Sequence, residues 1–242
     1  MFAICAGMYR SGSTLVYQVV SDLVETHKRG KRLGFLGLDA LPEFRQEVLD
    51  CRWRSFKTHQ SHAALTALVA EGRAVCFYTY RDIRDVVYSF MHKMACSFDD
   101  ALQCVPSMCL HDRIWKAHEK TLVQRYETWL EDRASAVRAI AAHLDTTLSA
   151  EQVDALCACY SLDANRACTC QLERRLRDEG VRLDMPDNAL ARDPDSELHW
   201  NHIRTGEVGT WRLVATERER DALRRVCSSW LIECEYETSD EW

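Results

Sequence analysis

The stretch "GMYRSGST", residues 7–14, decides how the chain is read. Gly7 and Gly12 stand at G-x-x-x-x-G spacing, and Thr14 occupies the Ser/Thr place of a phosphate-binding loop. The lysine that grips a nucleotide's outer phosphates in such a loop is missing. Ser13 stands there instead, and Arg10 lies inside the loop. The flanks give the context such a loop needs. "FAICA" (2–6) is a short apolar run that reads as a buried strand, and Leu15, Val16, Val19, Val20, Leu23 and Val24 follow at helical spacing. A glycine loop between a strand and a helix N-terminus offers unpaired backbone N–H groups and the positive end of a helix dipole, which together favour an anion.

Further strands are predicted at "WRSFK" (53–57), "AVCFYTY" (74–80) and "TLVQRY" (121–126). Helices are predicted at 61–71, from 83 onward, at 129–144, at 149–160 with Ser149 and Gln152 as a capping box, and at 216–232. Residues 26–50 read as a loop and a short helix. Residues 95–112 carry few signals and read as a cap over a pocket. Residues 173–200 are charged and pattern-poor and read as a mobile lid segment. Strands alternating with helices imply an α/β fold, a parallel sheet flanked by helices on both faces, in a single domain over 1–242. Ligands of such sheets bind beyond the carboxyl ends of the strands, so the loops after the four strands share one crevice.

Composition narrows the class. The chain has 242 residues, 47% hydrophobic and 28% charged, which suits a soluble globular protein. A net charge of −6 argues against a nucleic-acid binder. No run approaches the ~20 apolar residues of a membrane span, and the N-terminus does not read as a signal peptide, so a cytoplasmic location is expected. There the twelve cysteines would stay mostly as free thiols. The pairs Cys157/Cys159 and Cys168/Cys170 have C-x-C spacing rather than that of a zinc site, so no metal is expected.

Four loops supply chemistry to the crevice. The first offers N–H groups from Ser11 to Leu15, the Thr14 hydroxyl and Arg10. The second, "KTH" (57–59), brings an amine and an imidazole to one rim, suited to charge stabilisation and proton removal. The third starts at Arg81, whose fork suits a phosphate, with Ser89 eight residues on. Asp82, Arg84 and Asp85 between them read as surface charges of a first helical turn. Near the C-terminus, "HIRTGEVGTWR" (202–212) combines Arg204 with Gly206 and Gly209.

In this order the motifs resemble those of the sulfotransferases that use 3′-phosphoadenosine-5′-phosphosulfate (PAPS). "YRSGST" resembles the family's 5′-phosphosulfate loop, "KTH" its lysine–histidine triplet, "YRDIRDVVYSF" its 3′-phosphate motif, and "RTGEVGTWR" its R-K-G-x-x-G-D-W-K. "RYETW" (125–129) is similar to a stretch that reaches adenine. The likeness spans residues 2 to about 212. It implies a P-loop NTPase-like sulfotransferase fold and transfer of a sulfuryl group from PAPS to a hydroxyl or nitrogen of a small-molecule acceptor. It implies that Ser11, Gly12, Ser13 and Thr14 hold the 5′-phosphate, with Arg10 at the bridging oxygen. Lys57 would hold the sulfuryl oxygens, and His59 would take the acceptor's proton. Arg81, Ser89 and Arg204 would hold the 3′-phosphate, with Thr205 and Gly206 beside it, and Tyr126 and Ser161 would reach adenine. Leu15 and Leu162 stand where the family has aromatics that flank adenine, and Thr205 where it has a lysine. The resemblance is to short bacterial members, some of which modify specialised metabolites such as cyanobacterial guanidinium toxins. Residues 27–50 and 92–120 are expected to line the acceptor pocket.

The absent loop lysine fits this reading. A sulfuryl group carries less charge than the outer phosphates of a nucleoside triphosphate, and fixed donors can stabilise its loose transition state without a metal. The alternatives are a Mg-ATP-dependent small-molecule kinase, which would want that lysine, and a non-catalytic binding protein, which would not need both Lys57 and His59.

Overall fold

The computed structural model describes residues 1–37, 52–184 and 191–242. Five parallel strands form one sheet in the order β2-β3-β1-β4-β5: β1 (Phe2–Gly7), β2 (Lys31–Phe35), β3 (Arg54–Thr58), β4 (Ala74–Tyr80) and β5 (Thr121–Arg125). The apolar runs at 2–6 and 74–80 are strands because both of their faces are buried. Ala3 and Cys5 of β1 and Phe77 of β4 face a core with Val16, Val20, Leu23, Trp129 and Ile140. Ile4 and Ala6 of β1 and Cys76 and Tyr78 of β4 face a second core with Phe56, Leu65, Val69 and Trp115. Each large aliphatic side chain so covered contributes about 1.5–3 kcal/mol. The doubly covered parallel sheet is the expected architecture.

Helix α1 (Ser13–Lys28) follows β1 and packs its Val16–Val24 stripe on the first face. Helices α2 (Ala63–Ala70), α3 (Ile83–Met94), α4 (Phe98–Gln103) and α5 (Val105–Lys116) come next, then α6 (Tyr126–Glu131) and α7 (Arg133–His143). After them come α8 (Ala150–Cys159), α9 (Leu162–Asp178), α10 (Trp211–Val214) and α11 (Glu217–Glu233). A third core joins Ile83, Val86 and Val87 of α3 to Trp211 of α10 and to Leu223, Trp230 and Leu231 of α11.

Several expectations need correction. Part of 26–50, read as loop and short helix, is the end of α1 and the edge strand β2; residues 38–51 lie outside the described ones. The helix expected at 129–144 is two, α6 and α7, and Tyr126 opens α6 rather than closing β5. Within 95–112, residues 98–103 and 105–112 are helical, in α4 and α5, and pack into the third core rather than over a pocket. Residues 173–178 continue α9 and are mostly exposed apart from Leu176, whereas Ala191, Glu197 and Leu198 are buried; residues 185–190 lie outside the described ones.

The register aligns the strand ends. Ala6 pairs with Thr58, Gly7 with Thr79, and Tyr80 with Arg125. The residues that follow, Met8 to Gly12, His59, Arg81 and Tyr126, therefore leave the sheet at one level.

Candidate active site

A cavity of about 800 Å³ lies above these strand ends. Arg10, Gly12, Ser13, Thr14, Leu15, Lys57, His59, Arg81, Ser89, Tyr126, Leu162, Arg204 and Gly206 all line it, so residues up to 196 positions apart in the chain meet at one site. Ser11, Ser161 and Thr205 are not among its walls. The Ser11 hydroxyl turns inward to the Met8 and Thr79 carbonyls at 2.7 and 2.9 Å, fixing the loop to the end of β4. Ser161 Oγ caps α9 by accepting from Ala164 N at 3.1 Å. The Thr205 carbonyl accepts from Arg166.

The loop needs its second glycine. Gly12 has φ +83°, and a Cβ there would lie 2.8 Å from Tyr126 Cδ2. This turn starts α1 with no side-chain cap and no acidic residue in the first turn. Its first N–H groups therefore have no intrahelical partner, at a place where Gly12, Ser13, Thr14 and Leu15 line the cavity.

The cations converge. Arg10 Nε donates to Ser89 Oγ at 3.0 Å, and its terminal nitrogen to the His202 carbonyl. Burial, and then the charge of Arg81, pull the Arg10 guanidinium down to about 10. Arg81 is 5% exposed and lies over the Tyr126 ring at 4.6 Å. It is paired with Asp85 at 3.3 Å, and its Nε is buried with no protein partner. Two arginines that repel each other, one with an orphaned donor, fit a multiply charged anion. The C-terminal segment closes over them: Tyr126 Oη donates to the Gly206 carbonyl at 2.8 Å, and Arg204 bonds Thr210 Oγ1. Gly206 has φ +72° and sits against Leu162, where a Cβ would approach to 2.7 Å.

Asp82, Arg84 and Asp85 are buried, which corrects their reading as surface charges. Asp85 Oδ1 accepts from Thr210 Oγ1 and Trp211 N at 3.0 Å each, and Oδ2 from Gly209 N at 2.6 Å. Arg84 bonds Asp82 and lies over the rings of Trp211 and Trp242 at 4.2 and 4.4 Å. These three residues anchor the C-terminal segment to α3.

On the other side of the cavity, Lys57 is 5% exposed and its ammonium is lowered to about 8. Burial is the main cause. Glu197 opposes it, while Arg10, Arg192 and Lys93 reinforce it. His59 Nδ1 lies 2.8 Å from the Gly7 carbonyl. Since that oxygen can only accept, Nδ1 carries the proton and Nε2 is left as a base. Burial and the charge of Lys57 hold the imidazole well below its usual value, so it is neutral at pH 7. The rings of Tyr9 and Phe35 lie 4.2 and 5.7 Å from it, and Phe90 and Met94 line the same cavity. Of the segments expected to line an acceptor pocket, only Phe35, Gly37, Lys93 and Met94 do so among the described residues, and 95–120 lie elsewhere. Sequence reasoning gave no role to Tyr9, although it lies in the first loop, to His202, just ahead of Arg204, or to Glu197 and His199.

A parallel sheet with an uncapped phosphate-type loop and a pocket of buried cations defines a P-loop-like α/β protein that handles a small anionic donor. The sequence model of the sulfotransferase domain matches residues 3–235, and the chain belongs to that family. Mouse sulfotransferase SULT7A1 complexed with PAP superposes with TM-score 0.70 at 15% identity, over 97% of this chain and 86% of that one. Retinol dehydratase, in complex with androsterone and inactive cofactor PAP, gives TM-score 0.63 at 18% identity, covering 95% and 80%. The same protein with retinol and PAP gives 0.65 at 19%, covering 94% and 81%. At these identities the likeness establishes the sulfotransferase fold. No curated protein sequence matches the chain significantly. Among the described residues no helix is long and apolar enough to cross a membrane, and no group of three or more His, Cys, Asp or Glu could hold a metal ion.

Proposed function

We propose that the chain is a single-domain enzyme that moves a sulfuryl group from PAPS to a hydroxyl or nitrogen of a small molecule, without a metal. The observation that carries this reading is the buried, partnerless Nε of Arg81 beside Arg10 and the uncapped first turn of α1. Together they fit a donor with phosphate at both ends. PAPS supplies the activated sulfuryl group. Arg10 and the N–H groups of Ser13 to Leu15 hold one end, and Arg81, Ser89 and Arg204 the other. The aliphatic Leu15 and Leu162, with Tyr126, offer surfaces for a base. Lys57 brings a cation to the transferring group, and His59 Nε2 takes the acceptor's proton.

The aromatic side chains of Phe35 and Phe90 in the cavity wall support a flat or delocalised acceptor. A specialised metabolite such as a guanidinium alkaloid is the finer form of this proposal, since aromatic faces attract a delocalised cation. The cysteines among the described residues are all unpaired, which accords with a reducing cytoplasm.

Calorimetry with the desulfated product PAP tests the reading. The wild type binds PAP without Mg²⁺, and Arg81→Ala loses about 10- to 100-fold in affinity, the ~1.5–3 kcal/mol of a charge-assisted hydrogen bond. Thermal stabilisation by Mg-ATP but not by PAP would favour a kinase instead.

A further inference from the structure

The segment between α9 and α10 brings an imidazole, that of His202, to the phosphate loop. His202 lies in the cavity wall, with Nε2 3.2 Å from Thr14 Oγ1. The backbone N–H of His199 donates to its Nδ1 at 3.3 Å, and its own N–H donates back to the His199 carbonyl at 3.0 Å. A ring nitrogen that accepts from an amide carries no proton, so the proton sits on Nε2. Nε2–H must then be the donor toward Thr14, and the hydroxyl oxygen the acceptor.

We propose that His202 is a positioning residue for the phosphate loop: its Nε2–H donates to Thr14 Oγ1 and turns the Thr14 hydroxyl proton into the cavity, toward the anion held there. This rests on the function proposed above.

A hydroxyl has one proton to give and rotates freely unless something fixes it. Thr14 is 3% exposed, in the first turn of α1, where every donor aimed at the cavity counts. With one lone pair engaged by His202, the hydroxyl proton is directed elsewhere. Among the described residues, the charged or titratable groups that act most on His202 are Arg10, Lys57, His199 and Lys93. All of them oppose a charge on the ring, as burial does, so the ring stays neutral and the direction of the bond does not invert. The same residue's carbonyl accepts from Arg10. Side chain and main chain of His202 thus orient two groups of one loop, and a side-chain substitution removes only the first.

The test is a double-mutant cycle on PAP affinity by calorimetry, with wild type, His202→Leu, His202→Gln, Thr14→Val and the double variant Thr14→Val/His202→Leu. His202→Leu is expected to bind about three- to tenfold more weakly, the range for a neutral hydrogen bond. Glutamine, whose amide N–H reaches a similar place, restores affinity to within about twofold. In the Thr14→Val background the leucine substitution costs nothing further, because the group it acts through is gone. Imidazole ¹⁵N spectra of the wild type at neutral pH show the Nε2–H tautomer of His202. Unchanged affinity in His202→Leu, additive losses in the cycle, or an Nδ1–H tautomer overturns the inference while leaving the sulfotransferase reading intact. Failure of the wild type itself to bind PAP removes that reading, and this inference with it.

Discussion

The ring of Tyr9 lies face to face with the imidazole of His59, centroids 4.2 Å apart and planes 26° from parallel. Tyr9 belongs to the first loop and His59 to the end of β3, so the stack ties the anion-binding turn to the proposed base. Phe90 meets Tyr9 edge-on at 5.6 Å and holds it from behind. The consequence is electrostatic as well as steric. Tyr9 keeps water from one face of His59, and desolvation is the main reason the imidazole titrates well below 6.5.

Tyr9→Ala therefore raises the pKa of His59 toward 6.5. A base works only when unprotonated, so activity is lost as pH falls through the free-enzyme pKa. In the wild type, kcat/KM for the acceptor stays level down to well below pH 6.5; in Tyr9→Ala the acid limb moves up toward that value, short of it because the charges of Lys57 and Arg10 remain. Tyr9→Phe keeps the stack and the wild-type limb. Identical acid limbs in Tyr9→Ala and wild type would remove Tyr9 from this role.

How much of this was legible in the chain follows from where the partners lie. β1 and β4 announced themselves because both faces are buried, which leaves a continuous apolar run. β2 did not. It is an edge strand with Lys31, Arg32 and Gly34, and Gly34 N is bonded at 3.1 Å by Tyr17 Oη from α1. None of α9 was predicted, because its buried stripe is Asn165, Thr169, Leu172 and Leu176, at helical spacing but half polar. The loops that line the cavity were readable because each is local. His202 and Asp85 were not, since their meaning depends on Thr14, 188 residues away, and on Trp211, 126 residues away.

Asp85 gives the second prediction. Its carboxylate accepts from three groups of 209–211 and pairs with Arg81, all inside the protein. Asp85→Ala leaves these donors and a guanidinium uncompensated, at a cost of about 3–5 kcal/mol. It also frees the segment that carries Arg204 and Gly206. Urea denaturation is expected to show a stability loss of that size, and calorimetry a weaker affinity for PAP. A loss below about 1 kcal/mol would mean that the first turn of α3 behaves as the surface it resembles in sequence.

Gly12 yields a third. Alanine there must hold a left-handed conformation, at about 1–2 kcal/mol, and must push Tyr126 away from a contact of 2.8 Å. Moving Tyr126 disturbs both its bond to the Gly206 carbonyl and the face under Arg81. Gly12→Ala should lower Tm by roughly 4–8 °C, at about 2–4 °C per kcal/mol for a chain of this size. PAP affinity falls with it, read by calorimetry below the transition. A variant with unchanged Tm and unchanged PAP affinity would show that the loop tolerates a side chain at this turn.

Lys57 sets the alkaline side of the pH profile. Its ammonium is charged below about pH 8 and neutral above it, because burial outweighs the support of Glu197. The charged form is the one proposed to hold the transferring group, and kcat/KM reports the free enzyme. For PAPS it should therefore fall tenfold per pH unit above about pH 8. Lys57→Arg replaces the group with one that stays charged throughout, so the alkaline limb vanishes, while kcat drops because a planar fork does not reproduce a compact ammonium. Lys57→Met removes the charge at every pH and is expected to lose about 100- to 1000-fold in kcat, the range for deleting a preorganised donor at a reacting centre. A wild-type profile flat to pH 10, or a Lys57→Arg variant that keeps the limb, would assign the alkaline ionisation to another group and take Lys57 out of the transfer step.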